Sequence, residues 1–175
     1  EMCIRDRVEK NYIGYVTPVH DVSVRPYISG FVDEIRVKGG SEVKAGDVMV
    51  IIDQAEYKAR LDAAKAAVAQ AEASFNNSSV YYQRMQKAGA RAVSKTELDN
   101  AKASFLSAEA ALEQAKAALA EAQVNYDYTV IRATIDGVVG DVPLSKGDYV
   151  SPENVLLTVI QYNPIRVVFS ITDKD

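Results

Sequence analysis

The sequence predicts an α+β protein, a β-sandwich made of two copies of one short unit and split between the copies by an antiparallel coiled-coil α-hairpin. Three observations predict it. Two flanking stretches repeat each other at a constant offset. The middle carries a strict coiled-coil seam in two series. The residues between those series can stop one helix and start the next.

The repeat pairs VRPYISGFVDEIRVKGGSEVKAGDVMVIID, from Val24, with IRATIDGVVGDVPLSKGDYVSPENVLLTVIQ, from Ile131, gap-free at an offset of 107. Arg25 matches Arg132, Ile28 matches Ile135, Gly30 matches Gly137 and Val32 matches Val139. Gly40 then matches Gly147, Val43 matches Val150 and Val48 matches Val155. Matching glycines imply matching turns, and matching valines and isoleucines imply the same inward faces. The reading is a four-strand unit present twice and packed about a pseudo-twofold axis. Neither copy has enough apolar residues for a core of its own. Val8 to Val24 reads as one or two short strands. After Ile160 a fresh strand is expected from Ile165 to Ile171, pairing with the Tyr12–Val16 region as part of a further β domain.

In the middle, Tyr57, Leu61, Ala64, Val68, Ala71, Phe75, Ser78, Tyr82 and Met85 recur in steps of four and three. Leu98, Ala101, Phe105, Ala108, Leu112, Ala115, Leu119, Ala122 and Tyr126 keep the same rhythm. Folded back, Leu61 faces Ala122, Val68 faces Ala115, Phe75 faces Ala108, Ser78 faces Phe105 and Tyr82 faces Ala101. Large lies opposite small, so the layers interdigitate. Gly89 can end the first helix, Ser94 with Glu97 forms a capping box for the second, and Asp53 with Glu56 forms one for the first. Each arm of roughly 30 residues is on the order of 45–50 Å long. So narrow a stripe, with charged flanks, describes a projecting rod that reaches and docks.

Composition excludes several classes. A formal net charge of −4 gives no basis for a nucleic-acid partner. No apolar run approaches the roughly 20 residues of a membrane span. Residues 1–7, EMCIRDR, hold the one cysteine, Cys3, and read as a non-native segment; lipidation of Cys3 is the functional alternative. His20 is the one histidine and reads as a surface residue in a strand connector. Asp33, Glu34, Glu42 and Asp47 read as solvated turn chemistry, and KGG and SKGD lack Walker spacing. No nucleophile–base grouping can be assembled, so no enzyme activity is expected.

A glycine-bracketed β repeat interrupted by a coiled-coil hairpin resembles the periplasmic adaptor subunits, or membrane fusion proteins, of tripartite efflux pumps. The split β domain is similar to the lipoyl or biotinyl carrier fold. The carrying motifs are RPYISGFVDEIRVKGGSEVKAGDVMVIID, YTVIRATIDGVVGDVPLSKGDYVSPENVLLTV and NPIRVVFSI, over Val8 to Asp175. NPIRVVFSI looks like the entry to the barrel domain of adaptors serving resistance-nodulation-division (RND) pumps. The resemblance implies an incomplete β-barrel domain over 8–21 and 162–175, a lipoyl-like domain over 22–53 and 129–161, and a hairpin over 54–128. It implies a periplasmic protein held to the inner membrane by an anchor outside these residues. Its partners are an inner-membrane transporter, an outer-membrane channel and further copies in a ring of six. Adaptors of ABC or major-facilitator exporters, a carrier domain and a plain coiled-coil scaffold are the alternatives. A carrier needs a modifiable lysine where the β halves join; Asp53-Gln54 and Tyr128-Thr129 offer none, so no cofactor is expected.

In better-known members the tip carries an Arg, a Leu four residues on and a Ser seven beyond that. Arg84 takes the first place, Ala88 stands where the Leu would be, and Ser94 comes one residue early. The candidate channel-contact tip is therefore Arg84, Ala88, Gly89, Arg91, Val93 and Ser94, within a basic cluster that adds Lys87 and Lys95. The candidate seam is Leu61, Val68, Phe75, Tyr82, Leu98, Phe105, Leu112 and Leu119.

Overall fold

The structure, a computed structural model, describes residues 14–88 and 94–169. Cys3, Tyr12, Gly89, Arg91, Val93 and Ile171 lie outside the described residues, as do the expectations placed on them. The element order is β1 (Gly14–Val24), β2 (Gly30–Ile35), β3 (Glu42–Val43), β4 (Val48–Ile52), α1 (Ala55–Ala88), α2 (Lys95–Asp127), β5 (Val130–Arg132), β6 (Gly137–Val139), β7 (Tyr149–Val150) and β8 (Leu157–Phe169). Two four-stranded sheets form, ordered β1-β8-β6-β3 and β5-β4-β2-β7. Shifting the first order by the repeat offset produces the second, position for position.

Neither sheet belongs to one repeat: each draws two strands from each copy. Gly30 pairs with Val150 and Phe31 with Tyr149, while Gly137 pairs with Val43 and Val138 with Glu42. Val32 pairs with Ile52 as Val139 pairs with Val159. Val24 pairs with Leu157 as Ile131 pairs with Val50. Even the turns match. Gly40 and Gly147, at φ +82 and +93, each donate at 2.8 Å across the copies, to the Val139 and Val32 carbonyls. The core obeys the same exchange, for Val24 and Ile131, Val32 and Val139, Val43 and Val150, Val50 and Leu157, and Ile52 and Val159 are all buried.

Several expectations need correction. Val48 and Val155 do not share an inward face, since Val155 is exposed and the buried pair is Met49 and Leu156. A register shift between Val48 and Val50 turns adjacent residues inward together, which strict alternation cannot do. Strand β1 is one 11-residue element, with His20 exposed inside it rather than in a connector. No fresh strand starts at Ile165, because β8 runs unbroken from Leu157 to Phe169 and pairs with β1 on both sides of a register shift opposite residues 162–164. Pro18 and Pro164 are accommodated where that pairing shifts register, a place where a missing N–H costs no ladder bond. The Asp53–Glu56 capping box is only half made. Asp53 Oδ1 accepts from the Ala55 N–H at 2.9 Å, but its own N–H is committed to the Phe31 carbonyl in the sheet. Glu56 turns instead to Arg60.

In α1 and α2 every seam position is buried or half-buried, and Leu61, Ala101 and Leu112 are fully covered. Off the seam only Ser79 and Asn125 are partly covered within these helices. The Phe105 ring sits 5.4 Å from Phe75 and 5.7 Å from Tyr82, bracketing the level of Ser78. Large side chains therefore also touch diagonally between layers, adding aromatic contacts to the large-on-small match.

Two glycines carry the close approach between strands. A Cβ on Gly137 would lie 2.4 Å from the Ile160 carbonyl oxygen, whereas one on Gly30 would meet the Ile52 Cγ2 at 2.5 Å. A ladder carbonyl cannot yield, but a methyl group can turn away. Gly137→Ala should therefore destabilise by about 3 kcal/mol and Gly30→Ala by about 1 kcal/mol, read from urea midpoints at unchanged m-value. Equal costs would contradict the pairing described.

Candidate functional site

The hairpin has two unlike flanks, and the seam decides which residues form each. One flank holds Ala63, Ala67, Gln70, Ser74 and Asn77 of α1 with Ser104, Ser107, Ala111, Gln114 and Ala118 of α2, all exposed and uncharged. Shallow grooves run along it: Tyr81 lies with Glu97, Asn100 and Ser104, and Arg60 with Ala118, Glu121 and Asn125. The other flank holds Lys58, Asp62, Lys65 and Glu72 with Lys102, Glu109, Glu113 and Lys116, again exposed. There Lys116 meets Glu113 at 2.8 Å and Lys65 meets Asp62 at 3.7 Å. The Glu113 hydrogen bond and charge hold the Lys116 ammonium above its ordinary pKa, and Glu72 across the seam adds to this.

Toward the tip, α1 ends at Ala88, and Arg84, Lys87 and Ala88 are exposed. Ser94 caps α2 with both halves of the capping box made. Its backbone N–H donates to Glu97 at 2.9 Å and its hydroxyl accepts from the Glu97 N–H at 3.2 Å. The backbone donation from Ser94, and secondarily its side chain, hold the Glu97 carboxyl below its ordinary value of 4.5.

At the base, a polar cluster that the sequence reading missed ties the helices to the sandwich. The Gln54 amide donates to the Thr129 hydroxyl at 2.7 Å, which in turn donates to the Tyr126 carbonyl at 2.6 Å. Thr129 is fully buried, and its carbonyl accepts from the Ile52 N–H at 2.8 Å. The Tyr57 hydroxyl donates to the Ser29 carbonyl at 2.8 Å. Burial, and then the Glu56 charge, push the Tyr57 phenol above its ordinary value of 10.0. The junction where a carrier would present its lysine is filled by this hydrogen-bonded set. Its only sequence signal was a pair of short polar residues at the two handovers between sheet and helix.

The remaining polar candidates are engaged at the surface. Asp33 meets Lys146 at 3.2 Å, Glu34 meets Arg36 at 3.1 Å, and Glu42 accepts from the Tyr162 hydroxyl at 2.9 Å. Asp47 accepts from the Lys44 N–H at 2.8 Å. Among the described residues no group of three or more His, Cys, Asp or Glu is placed to hold a metal ion, and no helix is long and apolar enough to cross a membrane.

A two-helix rod standing on a strand-exchanged sandwich defines the class: a structural element of a membrane-fusion adaptor. Residues 20–161 match the family described as RND MFP, barrel-sandwich hybrid domain, and the chain belongs to this family of RND membrane fusion proteins. The multidrug efflux pump subunit AcrA of Escherichia coli K12 is 36% identical over 155 residues, 87% of this chain and 39% of AcrA. The multidrug resistance protein MdtA of Cronobacter turicensis is 32% identical over 166 residues, 93% of this chain and 40% of MdtA. The chain thus spans about two fifths of these relatives' length. Among solved structures, MacA from Actinobacillus actinomycetemcomitans superposes with a TM-score of 0.71 at 27% identity, covering 88% of this chain and 53% of MacA. The membrane fusion protein Spr0693 from Streptococcus pneumoniae R6 gives a TM-score of 0.70 at 25% identity, covering 88% and 67%.

The cap makes the start of α2 pH-sensitive. A carboxyl whose folded pKa is lowered stabilises above its unfolded value and stops doing so as pH falls through the folded one. Glu97 should titrate below 4.5 by NMR, with amide protection in the first turn of α2 fading below that point and insensitive to pH in Glu97→Gln. A midpoint at or above 4.5 would contradict the capping geometry.

Proposed function

We propose that the chain is the central part of a periplasmic adaptor that bridges an inner-membrane RND-type transporter to an outer-membrane channel, in export of drugs or other small molecules. The observation that carries this is the rod itself: its ends are clamped at the base, its seam positions are covered, and toward the tip Ser94 caps α2 with Arg84, Lys87 and Ala88 exposed. The work is positional and non-enzymatic. The hairpin sets the reach, and the sandwich at its base, over 22–53 and 129–161, packs beside neighbouring copies. The paired outer ends of β1 and β8 belong to an incomplete barrel over 8–21 and 162–175, and the rod is 54–128.

The two flanks support assembly into a ring of about six. Between Arg60 and Glu121 near the base and Glu97 near the tip, the middle of one flank is alanine, serine, asparagine and glutamine and lets another rod approach closely without desolvating charge, while the charged flank keeps isolated rods soluble. We assign channel contact to the tip, with Arg84, Ala88 and Ser94 among the described residues and Gly89, Arg91 and Val93 beyond them. Arg84, Lys87 and Lys95 give it a basic character that steers it onto an acidic rim, an attraction that weakens with salt. The departure at Ala88 removes an apolar contact and points to a channel whose socket does not need one. The RND match favours this branch over adaptors of ABC or major-facilitator exporters.

In cells carrying the full-length protein, deletion of its gene should raise susceptibility to toxic small molecules. A photocrosslinker at position 88 should capture an outer-membrane protein, and one at position 36 should not. Unchanged susceptibility together with no tip adduct contradicts the proposal.

A further inference from the structure

Strands β1 and β5 are end strands of their respective sheets, and they flank a groove of about 440 Å³ at the pseudo-twofold axis. Its floor is the buried pair Val24 and Ile131, which are repeat mates. Arg25 and Arg132, also repeat mates, both line it, in a chain of net charge −4. Arg132 Nη1 donates to the Gly46 carbonyl at 3.0 Å, which fixes the group while leaving its other N–H donors available. The Arg25 side chain is exposed and has no partner among the described residues. The Asp127 carboxylate, also lining the groove, accepts from the Gln123 amide at 2.9 Å.

The groove has a direction. Tyr27 and Tyr128 stand at one end with rings 4.7 Å apart, and Tyr27 is 76% exposed. The repeat mate of Tyr27 is Thr134, so the other end is small and polar. The volume falls in the range of small-molecule sites, in which apolar walls and a few convergent polar groups set orientation.

We propose that this groove binds a planar aromatic anion, its ring against Tyr27 and Tyr128 over the Val24–Ile131 floor and its carboxylate or sulfonate on Arg25 and Arg132. Charge and shape carry the assignment. Two arginines line the groove against one engaged carboxylate, each guanidinium a planar fork that suits oxyanions, and the aromatic pair offers a face for stacking. This site does not depend on the adaptor role.

The test is calorimetric titration of the whole chain with 2-naphthoate and with the neutral isostere 2-naphthamide. Saturable one-to-one binding of 2-naphthoate is expected, with amide shifts at Tyr128 and Ile131 in NMR spectra. Arg25→Gln and Tyr27→Ala, both at exposed side chains, should each weaken it about tenfold with unchanged circular dichroism, and Arg36→Gln should leave it alone. 2-Naphthamide should bind about tenfold more weakly. The proposal is overturned by no saturation at about 10 mM, by equal affinity in Arg25→Gln and Tyr27→Ala, or by equal affinity for the amide. Displacement by an extended acidic peptide at lower concentration than by 2-naphthoate assigns the groove to a chain segment and overturns it too.

Discussion

Reciprocal strand exchange is the constraint on which the rest of the molecule rests. Each copy of the repeat is too short to bury its own apolar face, so each sheet takes strands from both. Gly30 lies against Val150 and Gly137 against Val43. The exchange closes where β4 meets β5, with the Ile52 N–H donating to the Thr129 carbonyl at 2.8 Å. The chain between those residues must therefore leave and return at one place. Two helices that start and finish side by side have to run antiparallel, and the hairpin follows from the sandwich.

A two-helix rod has only one buried face, so it needs small residues to bring the helices close and large ones to fill what remains. Ala101 and Leu112 show the two roles, both buried on the same seam. A single seam cannot by itself hold the rod to the body. The Gln54, Tyr57, Tyr126 and Thr129 hydrogen bonds do that, converting the handover between sheet and helix from a free joint into a braced one. A buried hydroxyl that donates and accepts at once would be costly to leave unpaired, which is why the brace is specific. Bracing matters for a part whose function is reach, because a tilt at the base is multiplied along the rod.

Much of this was legible in residue order alone. Seam positions, the repeat offset and the Ser94–Glu97 cap are local patterns with one physical reading each. What escaped was whatever depended on the partner strand. Periodicity says that Val32 and Val139 point inward, but not that β2 and β6 sit in different sheets. The shift between Val48 and Val50 moved burial to Met49, whose repeat mate Leu156 is buried as well, and the shift between Pro18 and His20 let β8 continue through Pro164. The Asp53 box failed because its N–H had already been taken by the sheet. The base cluster was missed because Gln54 and Thr129 are distant in sequence and unremarkable singly.

The central claim is that neither copy folds without the other, and it is tested most directly by dividing the chain between the helices. Residues 1–88 and 89–175, prepared as separate polypeptides, should each lack the dispersed β-sheet signals of the intact chain. Mixed, they should form a one-to-one complex that restores those signals and unfolds in a single transition. A half that folds cooperatively alone would contradict the exchange, and with it the account of why the hairpin projects from this body.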